Sequence, residues 1–327
     1  MIVPEYWAEA RLHQDRTRGR RQVTVRRFGW SQTSQADAER MAHARAQEVF
    51  RLVVAGEPLA RREPKVGYNG AAGVPIREEI LARHGAAVIT RNSYGAHCLN
   101  TPDVLFADVD FARPLGGRVV LTYACLLLTA ALGLGLWLRS GTLGAVAALL
   151  ALLLARPLAS AMRKAFVGWC GGPERCARAR IGAFMARNPD WLLRLYRTPA
   201  GFRLLALHRT FDARDPAVAR CFAELGADPV YAAMCHNQHC FRARVSPKPW
   251  RIGLGEHLRP RPGVWPVNPA RLPDRQAWVR RYEETAAPFA SCRYVETLGR
   301  GAVHPAAESV RELHDRLSRA LDDLKIA

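Results

Sequence analysis

The sequence predicts an α+β fold, an antiparallel sheet with helices, that is interrupted by an inserted two-helix transmembrane hairpin. Two long apolar stretches follow each other near the middle of the 327-residue chain. Strand and helix patterns occur on both sides of these stretches, and neither side has enough strands for a sheet of its own. Basic residues concentrate before and after the apolar stretches rather than between them, as expected for a cytoplasmic protein with an inserted membrane hairpin.

Composition and charge limit the classes of protein and partner. Hydrophobic residues make up 49% of the chain, yet the mean hydropathy is −0.13, so any membrane-spanning part is a minority. The formal net charge is +19, from 48 basic and 29 acidic residues. This excess favours an anionic partner, either the headgroups of membrane lipids or a nucleotide or nucleic acid. Eight dispersed cysteines predict reduced thiols in a cytoplasm rather than a secreted disulfide framework.

Residues 1–117 are predicted to form the N-terminal part of a cytoplasmic α+β domain. The first residues lack the charged start and apolar core of a secretory signal peptide. Residues 22–30 have the β-branched and aromatic content of a strand. Ser34 is the predicted N-cap of a helix over residues 34–55, in which apolar residues recur every three or four positions. The pattern therefore predicts an amphipathic helix packed on a sheet.

The next segment contains a linker and two further strands. Residues 56–73 are rich in Gly and Pro and predict a linker, and residues 76–84 predict a short helix. Residues 67–73 (GYNGAAG) precede that helix as an anion-binding loop would, but without the Lys-Ser/Thr ending of a phosphate loop, so the linker interpretation is favoured. Strands are predicted at residues 87–92 and 104–111, with turn residues between them.

Residues 118–162 are predicted to be the transmembrane hairpin, with helices at about residues 119–138 and 142–160. The first stretch is uncharged and long enough to cross about 30 Å of hydrocarbon. The second spans the bilayer if Arg156 extends its side chain to the headgroups. Two alternatives stay open: a hairpin buried in a soluble core, and one crossing followed by an interfacial helix.

The distribution of basic residues predicts the topology. Only Arg139 lies between the two apolar stretches, whereas bases are frequent before and after them. By the positive-inside rule, both flanks are cytoplasmic. We therefore predict a multi-pass protein of the bacterial inner membrane with both termini in the cytoplasm.

Residues 163–327 are predicted to be the C-terminal part of the same cytoplasmic α+β domain. This segment alternates strand-like and helix-like patterns, with turn residues between them. The predicted strands are residues 192–197, 202–208 and 292–297, and the predicted helices are residues 215–225, 274–287 and 305–324.

Two carboxylates at the end of the strand over residues 104–111 suggest a metal site. Alternation along a strand places Asp108 and Asp110 on the same face. Two like charges so close repel each other unless a cation or an arginine neutralises them, and paired carboxylates commonly hold Mg²⁺ or Mn²⁺ against substrate phosphates. The alternative is a solvated strand end without a metal. The sequence leaves the cofactor undetermined, with Mg²⁺ or Mn²⁺ as the candidate for this site.

The segment YRTPAGFRLLALH, residues 196–208, adds three cationic side chains from strands predicted beside the acidic one. Together, the acidic strand and this hairpin resemble the catalytic core of archaeo-eukaryotic-type primases and primase-polymerases. In that family an hhhDhD strand faces a hairpin with a small-residue turn and a histidine. The resemblance covers residues 105–110 and 198–208, and Arg203 stands where the family's histidine is expected.

The resemblance implies a metal-dependent nucleotidyl or phosphoryl transferase. Asp108 and Asp110 would be the metal ligands. Asp212 and Asp315 are candidates for a third acidic ligand, and neither is assigned. The candidate catalytic residues are Asp108, Asp110, Arg197, Arg203 and His208.

A second group of potential metal ligands lies in residues 235–240 (CHNQHC). Zinc usually takes four ligands from two separated pairs, and here Cys235, His236, His239 and Cys240 crowd one short segment. Metal binding and a simple turn before a strand both stay open. Residues 241–251 (FRARVSPKPWR) alternate bases with aromatic residues and prolines, which suits anionic lipid or a phosphate backbone.

Two classes of function therefore remain. The first is a membrane-anchored cytoplasmic α+β module that binds a partner or ligand. The alternative is a metal-dependent nucleotidyl or phosphoryl transferase that uses Asp108 and Asp110, so the sequence leaves open whether the protein is an enzyme. The two differ in whether strands from the two flanks lie side by side. A transferase requires both carboxylates in a cleft with Arg197 or Arg203, whereas exposed carboxylates on a convex edge would exclude it.

Overall fold

The fold is described from a computed structural model. It contains α-helices and mainly antiparallel strands, with two long apolar helices adjacent in the chain, so the predicted α+β class with a helical insert is confirmed. The structure describes residues 1, 3–15, 22–60, 71, 74–111 and 115–327.

The described residues form the following elements. The strands are β1 (Tyr6–Gln14), β2 (Val23–Ser31), β3 (Glu79–His84), β4 (Ala87–Arg91), β5 (His97–Thr101), β6 (Phe106–Asp110), β7 (Leu193–Thr198), β8 (Gly201–Ala206), β9 (Phe241–Arg244), β10 (Phe289–Ala290), β11 (Arg293–Leu298) and β12 (Lys325–Ile326). The helices are α1 (Gln35–Val54), α2 (Gly117–Trp137), α3 (Gly141–Trp169), α4 (Pro173–Arg187), α5 (Pro216–Leu225), α6 (Pro229–Gln238), α7 (Leu272–Ala286) and α8 (Pro305–Ser318).

Strands from both sides of α2 and α3 share sheets. One four-stranded sheet has the order β3-β4-β5-β9 and another has the order β11-β7-β8-β6. β9 pairs antiparallel with β5, with Leu99 opposite Ala243. β1 and β2 form a separate antiparallel pair, and β10 and β12 form a short parallel one. The sheets are therefore completed by strands that lie far apart in the chain.

The chain divides into two compact units. We call the first the polar unit; it comprises Met1–Asp108, Asn188–Pro199 and Arg203–Ala327. The second, the helical unit, comprises Val109–Arg187 and Ala200–Phe202. The polar unit is thus assembled from segments that precede and follow the apolar helices.

The N-terminal helix forms as its sequence predicts. The Ser34 side chain accepts a hydrogen bond from the Asp37 N–H at 3.1 Å and caps α1. The small residues of α1 that face β1 and β2 are fully buried. Gly29 of β2 lies against the helix backbone, where an added Cβ would be 2.1 Å from the Ala38 carbonyl oxygen. A side chain at Gly29 would therefore force the helix away from the strand.

The prediction of a short helix over residues 76–84 is wrong. The structure has the strand β3 there, paired antiparallel with β4 so that His84 lies opposite Ala87. Gly85 has φ +57°, a left-handed conformation that lets a two-residue turn return the chain. Pairing with β4 supplies the hydrogen bonds of β3, so the sheet overrides the local helical pattern. The predicted linker lies largely outside the described residues, as does the GYNGAAG loop except for Ala71.

In the helical unit, α2 and α3 are long and apolar enough to cross a membrane. They contain 21 and 29 residues, and they pack against each other through small residues. A Cβ added to Gly135 would lie 2.9 Å from the Gly144 Cα. Their buried side chains are all alanines, namely Ala131, Ala151, Ala155 and Ala159. Most of their leucines are exposed.

Candidate functional site

Asp108 and Arg203 are brought together by the pairing of β6 with β8. The Ala206 N–H donates to the Leu105 carbonyl at 3.0 Å, which fixes these strands in antiparallel register. Arg203 then donates to both carboxylate oxygens of Asp108, from Nε to Oδ1 at 2.8 Å and from Nη2 to Oδ2 at 3.1 Å. The predicted meeting of the acidic strand with a cationic hairpin therefore occurs at this pair.

The two members of the pair differ in their exposure. The side chain of Arg203 is buried, whereas half of the Asp108 side chain is exposed. Desolvation raises the pKa of Asp108, but the charge and hydrogen bonds of Arg203 outweigh it and hold that pKa below its ordinary value. Asp108 is therefore ionised at neutral pH, and its charge neutralises a buried guanidinium.

Arg203 also reaches the interior of the polar unit. Its Nη1 donates to the Arg244 carbonyl at 2.7 Å and lies 3.4 Å from the His314 Nε2. His314 is fully buried on α8. One guanidinium thus links β6, β9 and α8, and every one of these contacts lies within the polar unit.

In the buried interior of the polar unit, a cysteine lies next to a histidine, and the histidine lies next to an aspartate. The Cys292 Sγ lies 4.0 Å from the His314 Nε2, and the His314 Nδ1 lies 3.4 Å from an Asp315 carboxylate oxygen. Burial lowers the pKa of His314, but Cys292 and Asp315 outweigh it and raise that pKa overall. Burial raises the pKa of Cys292, but His314 outweighs it and lowers that pKa overall.

Asp315 is the acceptor at the centre of this cluster. Tyr196 donates its hydroxyl to Asp315 at 2.5 Å, Arg194 donates at 2.8 Å and Arg311 donates at 3.1 Å. Desolvation raises the pKa of Asp315, but its hydrogen bonds with His314 and Tyr196 lead the interactions that lower it overall. We call the whole set the Arg203 network; its members are Asp108, Arg194, Tyr196, Arg203, Cys292, Arg311, His314 and Asp315.

The Arg203 network holds the parts of a nucleophilic site in a closed form. A thiol beside an imidazole that is oriented by a carboxylate is the arrangement by which cysteine nucleophiles are activated. Here, however, Cys292 and His314 have no exposed surface, so a substrate cannot reach the thiol in this conformation. Sequence reasoning missed the pair because neither residue lies in a nucleophile motif, and only the fold brings β11 next to α8.

The other predicted catalytic residues occupy different positions in the fold. Arg197 lies on β7 opposite Arg293 of β11. His208 follows the end of β8, where its ring packs 4.8 Å from Trp191 and its Nδ1 accepts from the Leu192 N–H at 3.3 Å. Desolvation lowers the pKa of His208, so the ring is neutral at pH 7. Asp110 belongs to the helical unit, and its side chain is exposed.

The metal hypothesis remains a prediction, and the structure shows how the proposed metal ligands are arranged. Within the part of the chain that the structure describes, no group of three or more His, Cys, Asp or Glu side chains could hold a metal ion. Both oxygens of Asp108 are already bound by Arg203. In the CHNQHC segment, Cys235 and Cys240 are buried, and α6 ends at Gln238 with His239 in the left-handed conformation. A helix end therefore occupies the position of the predicted turn.

A second buried polar cluster lies on the sheet β3-β4-β5-β9. Arg242 donates from Nη2 to both oxygens of Glu78 at 2.7 and 2.6 Å, and Thr90 donates to the same carboxylate at 2.7 Å. Asn100 donates to the Thr90 hydroxyl at 3.0 Å. All four of these side chains are buried, so this cluster too is enclosed by protein.

Comparison with known proteins adds no relative: no family model, curated protein or solved structure matches the chain.

Proposed function

We propose that this chain is a membrane-anchored α+β module. Its helices α2 and α3 cross the bacterial inner membrane as a hairpin, and both flanking segments lie in the cytoplasm. The helical unit is the anchor, and the polar unit binds a protein partner or another ligand at the membrane. The observation that carries this proposal is the outward-facing apolar surface of the two helices.

That surface is the reverse of what a soluble helical pair presents. Four leucines of α2 are between 63% and 71% exposed: Leu121, Leu126, Leu132 and Leu136. The core helices of a soluble protein bury such residues, because each large aliphatic side chain left in water forgoes about 1.5–3 kcal/mol of hydrophobic stabilisation. In a bilayer the same side chains contact lipid tails, and small residues let the two helices approach closely.

Two threonine hydroxyls of α2 are satisfied within the helix itself. Thr122 donates its hydroxyl to the Arg118 carbonyl at 3.0 Å, and Thr129 donates to the Cys125 carbonyl at 2.9 Å. Helices in hydrocarbon require such internal partners because no water is present. The 21 residues of α2 correspond to about 31 Å, close to the thickness of the hydrocarbon core.

The closed state of the Arg203 network favours a binding module over an enzyme. Both carboxylate oxygens that would hold a metal at Asp108 are engaged by Arg203. The buried thiol of Cys292 has no exposed surface from which to attack a substrate. The network therefore stabilises the interior of the polar unit, and we expect the ligand to bind on the surface of that unit.

Extraction of membranes at alkaline pH tests the anchor. We expect the full chain to remain with the membrane pellet after a carbonate wash and to dissolve only in detergent. A variant in which a short flexible linker replaces residues 119–162 should be released as a soluble folded protein, since the ends of a helical hairpin are close together. Release of the full chain by carbonate alone would refute the anchor.

A further inference from the structure

We infer that the open end of the α2–α3 hairpin binds the phosphate groups of anionic phospholipids in the cytoplasmic leaflet. This inference rests on the proposed membrane anchor and names its lipid partner. The surface, which we call the basic collar, consists of Arg118, Arg163, Lys164 and Arg175.

The lengths of the two helices place three members of the basic collar, Arg118, Arg163 and Lys164, at headgroup depth. Gly135 and Gly144 contact each other, so they lie at the same depth on the two antiparallel helices. Arg118 precedes Gly135 by as many residues as residue 161 follows Gly144, which places Arg118 and residue 161 at the same depth. α3 continues to Trp169, so its last turns extend about 10 Å past the start of α2 at 1.5 Å per residue. The headgroup layer is about 5–8 Å thick on each side. Arg163 and Lys164 therefore lie within it.

The charge of the segment is almost entirely of one sign. Residues 112–187 contain ten basic side chains and a single acidic one, Glu174. Among the basic residues, Arg139 alone lies between α2 and α3, at the closed end of the hairpin. Arg118, Lys164 and Arg175 are all exposed. Near an anionic membrane surface, each contacting base strengthens association by about fivefold.

Exposed aromatic rings lie in the same last turns of α3 as Arg163 and Lys164. Trp169 at the end of α3 is 86% exposed, and Phe166 lies beside it with the ring centroids 6.4 Å apart. Trp137 at the closed end is 80% exposed. Aromatic side chains of this kind occupy the two interfaces of a bilayer. The bases lie next to this aromatic level and continue directly from the apolar helices, which favours a lipid headgroup over a soluble nucleic acid as the anion.

Spin-labelled lipids in reconstituted vesicles provide the test. The full chain is placed in phosphatidylcholine vesicles that carry a trace of spin-labelled phosphatidylglycerol or, separately, spin-labelled phosphatidylcholine. We expect the protein to immobilise the anionic probe with about fivefold or greater preference at low salt, corresponding to at least one contacting base. The preference should decrease as salt screens the charges.

Matched variants connect that preference to the basic collar. Replacement of all four collar residues by Gln (R118Q/R163Q/K164Q/R175Q) should abolish the preference, and R118K/R163K/R175K should retain it. The control variant R280Q/R300Q/R316Q/K325Q removes the same charge from exposed basic residues of the polar unit and should also retain the preference. A parent without preference, or a collar variant that keeps it, would overturn the inference.

Failure of the anchor and binding of nucleic acid each give a distinct result. If neither the anionic nor the zwitterionic lipid probe is immobilised, the chain is not in the bilayer and the proposed anchor itself has failed. Binding of a fluorescent DNA duplex is measured in parallel by anisotropy. Loss of DNA binding in the collar variant, together with an unchanged lipid preference, would assign the surface to nucleic acid instead and overturn the inference.

Discussion

Arg203 determines the chemistry of the candidate site because its charge is buried and must be neutralised. Asp108 accepts two hydrogen bonds from it while keeping half of its own surface in solvent. A buried charge that loses its partner is costly, whereas an exposed carboxylate is not. The pair therefore stabilises the polar unit mainly through its buried arginine.

Asp108→Asn is expected to lower the free energy of unfolding by about 1–3 kcal/mol, because Arg203 loses a charged acceptor. The measurement is urea denaturation of the detergent-solubilised chain. Asp323→Asn is the control of little effect, because the Asp323 side chain is fully exposed in its ion pair with Arg293. Addition of Mg²⁺ or Mn²⁺ should leave the thermal midpoints of the parent and of Asp108→Asn unchanged. A midpoint that rises with metal in the parent, but not in D108N/D110N, would establish the metal site instead.

The buried carboxylate of Asp315 predicts a defined pH dependence. Its pKa in the folded state lies below the ordinary value of 3.8. A carboxylate with a lowered pKa stabilises the fold above its unfolded pKa, and that contribution is lost as the pH falls through the folded one. Asp315→Asn should therefore cost about 3 kcal/mol at pH 7, with the difference shrinking below pH 4. A difference that is equal at pH 7 and pH 3 would contradict this.

At the residue level, the sequence could predict only contacts between strands that its pattern already placed together. Asp108 and Arg203 lie on recognisable strands, so their meeting could be proposed in advance. Cys292 and His314 could not, because their contact depends on the packing of α8 against the sheet. The nearness of His208 to Arg203 in the chain suggests a shared site, whereas its ring packs on Trp191 after β8 has ended.

Helices were predictable where a local signal agreed with the final packing. α1 has a side-chain cap at Ser34 and a buried face of small residues, and α2 and α3 are marked by length and apolarity. β3 was not predictable, because its segment has a helical pattern and becomes a strand only by pairing with β4. Local sequence does not encode that pairing, which also requires the turn at Gly85.

The packing of α2 on α3 predicts different tolerances at neighbouring glycines. Gly135→Val should destabilise the hairpin by about 1–3 kcal/mol, because its Cβ would press on the Gly144 backbone. Gly133→Val is the matched control, since no atom outside its own helix turn lies within 4 Å of a Cβ there. Thermal midpoints in detergent give the comparison. Equal midpoints for the two variants would show that the helices do not pack through Gly135.

For the whole molecule, the decisive feature is the insertion of the apolar helices into a discontinuous polar unit. β5 pairs with β9, and β8 pairs with β6, so both sheets need strands from before and after the insertion. The sequence indicated this only indirectly, through flanks with too few strands. It could not specify the partners, because pairing between distant strands depends on the complete set of sheet contacts.

Reporter fusions test the membrane topology most directly. A reporter active only in the cytoplasm is fused after Ala327 or inserted before Arg118, and a reporter active only outside the cytoplasm is inserted at Ser140, between α2 and α3. We expect activity at all three positions, because the arginine distribution predicts that both flanks stay in the cytoplasm. A C-terminus on the opposite side of the membrane from residue 117 would contradict the hairpin and leave a single crossing.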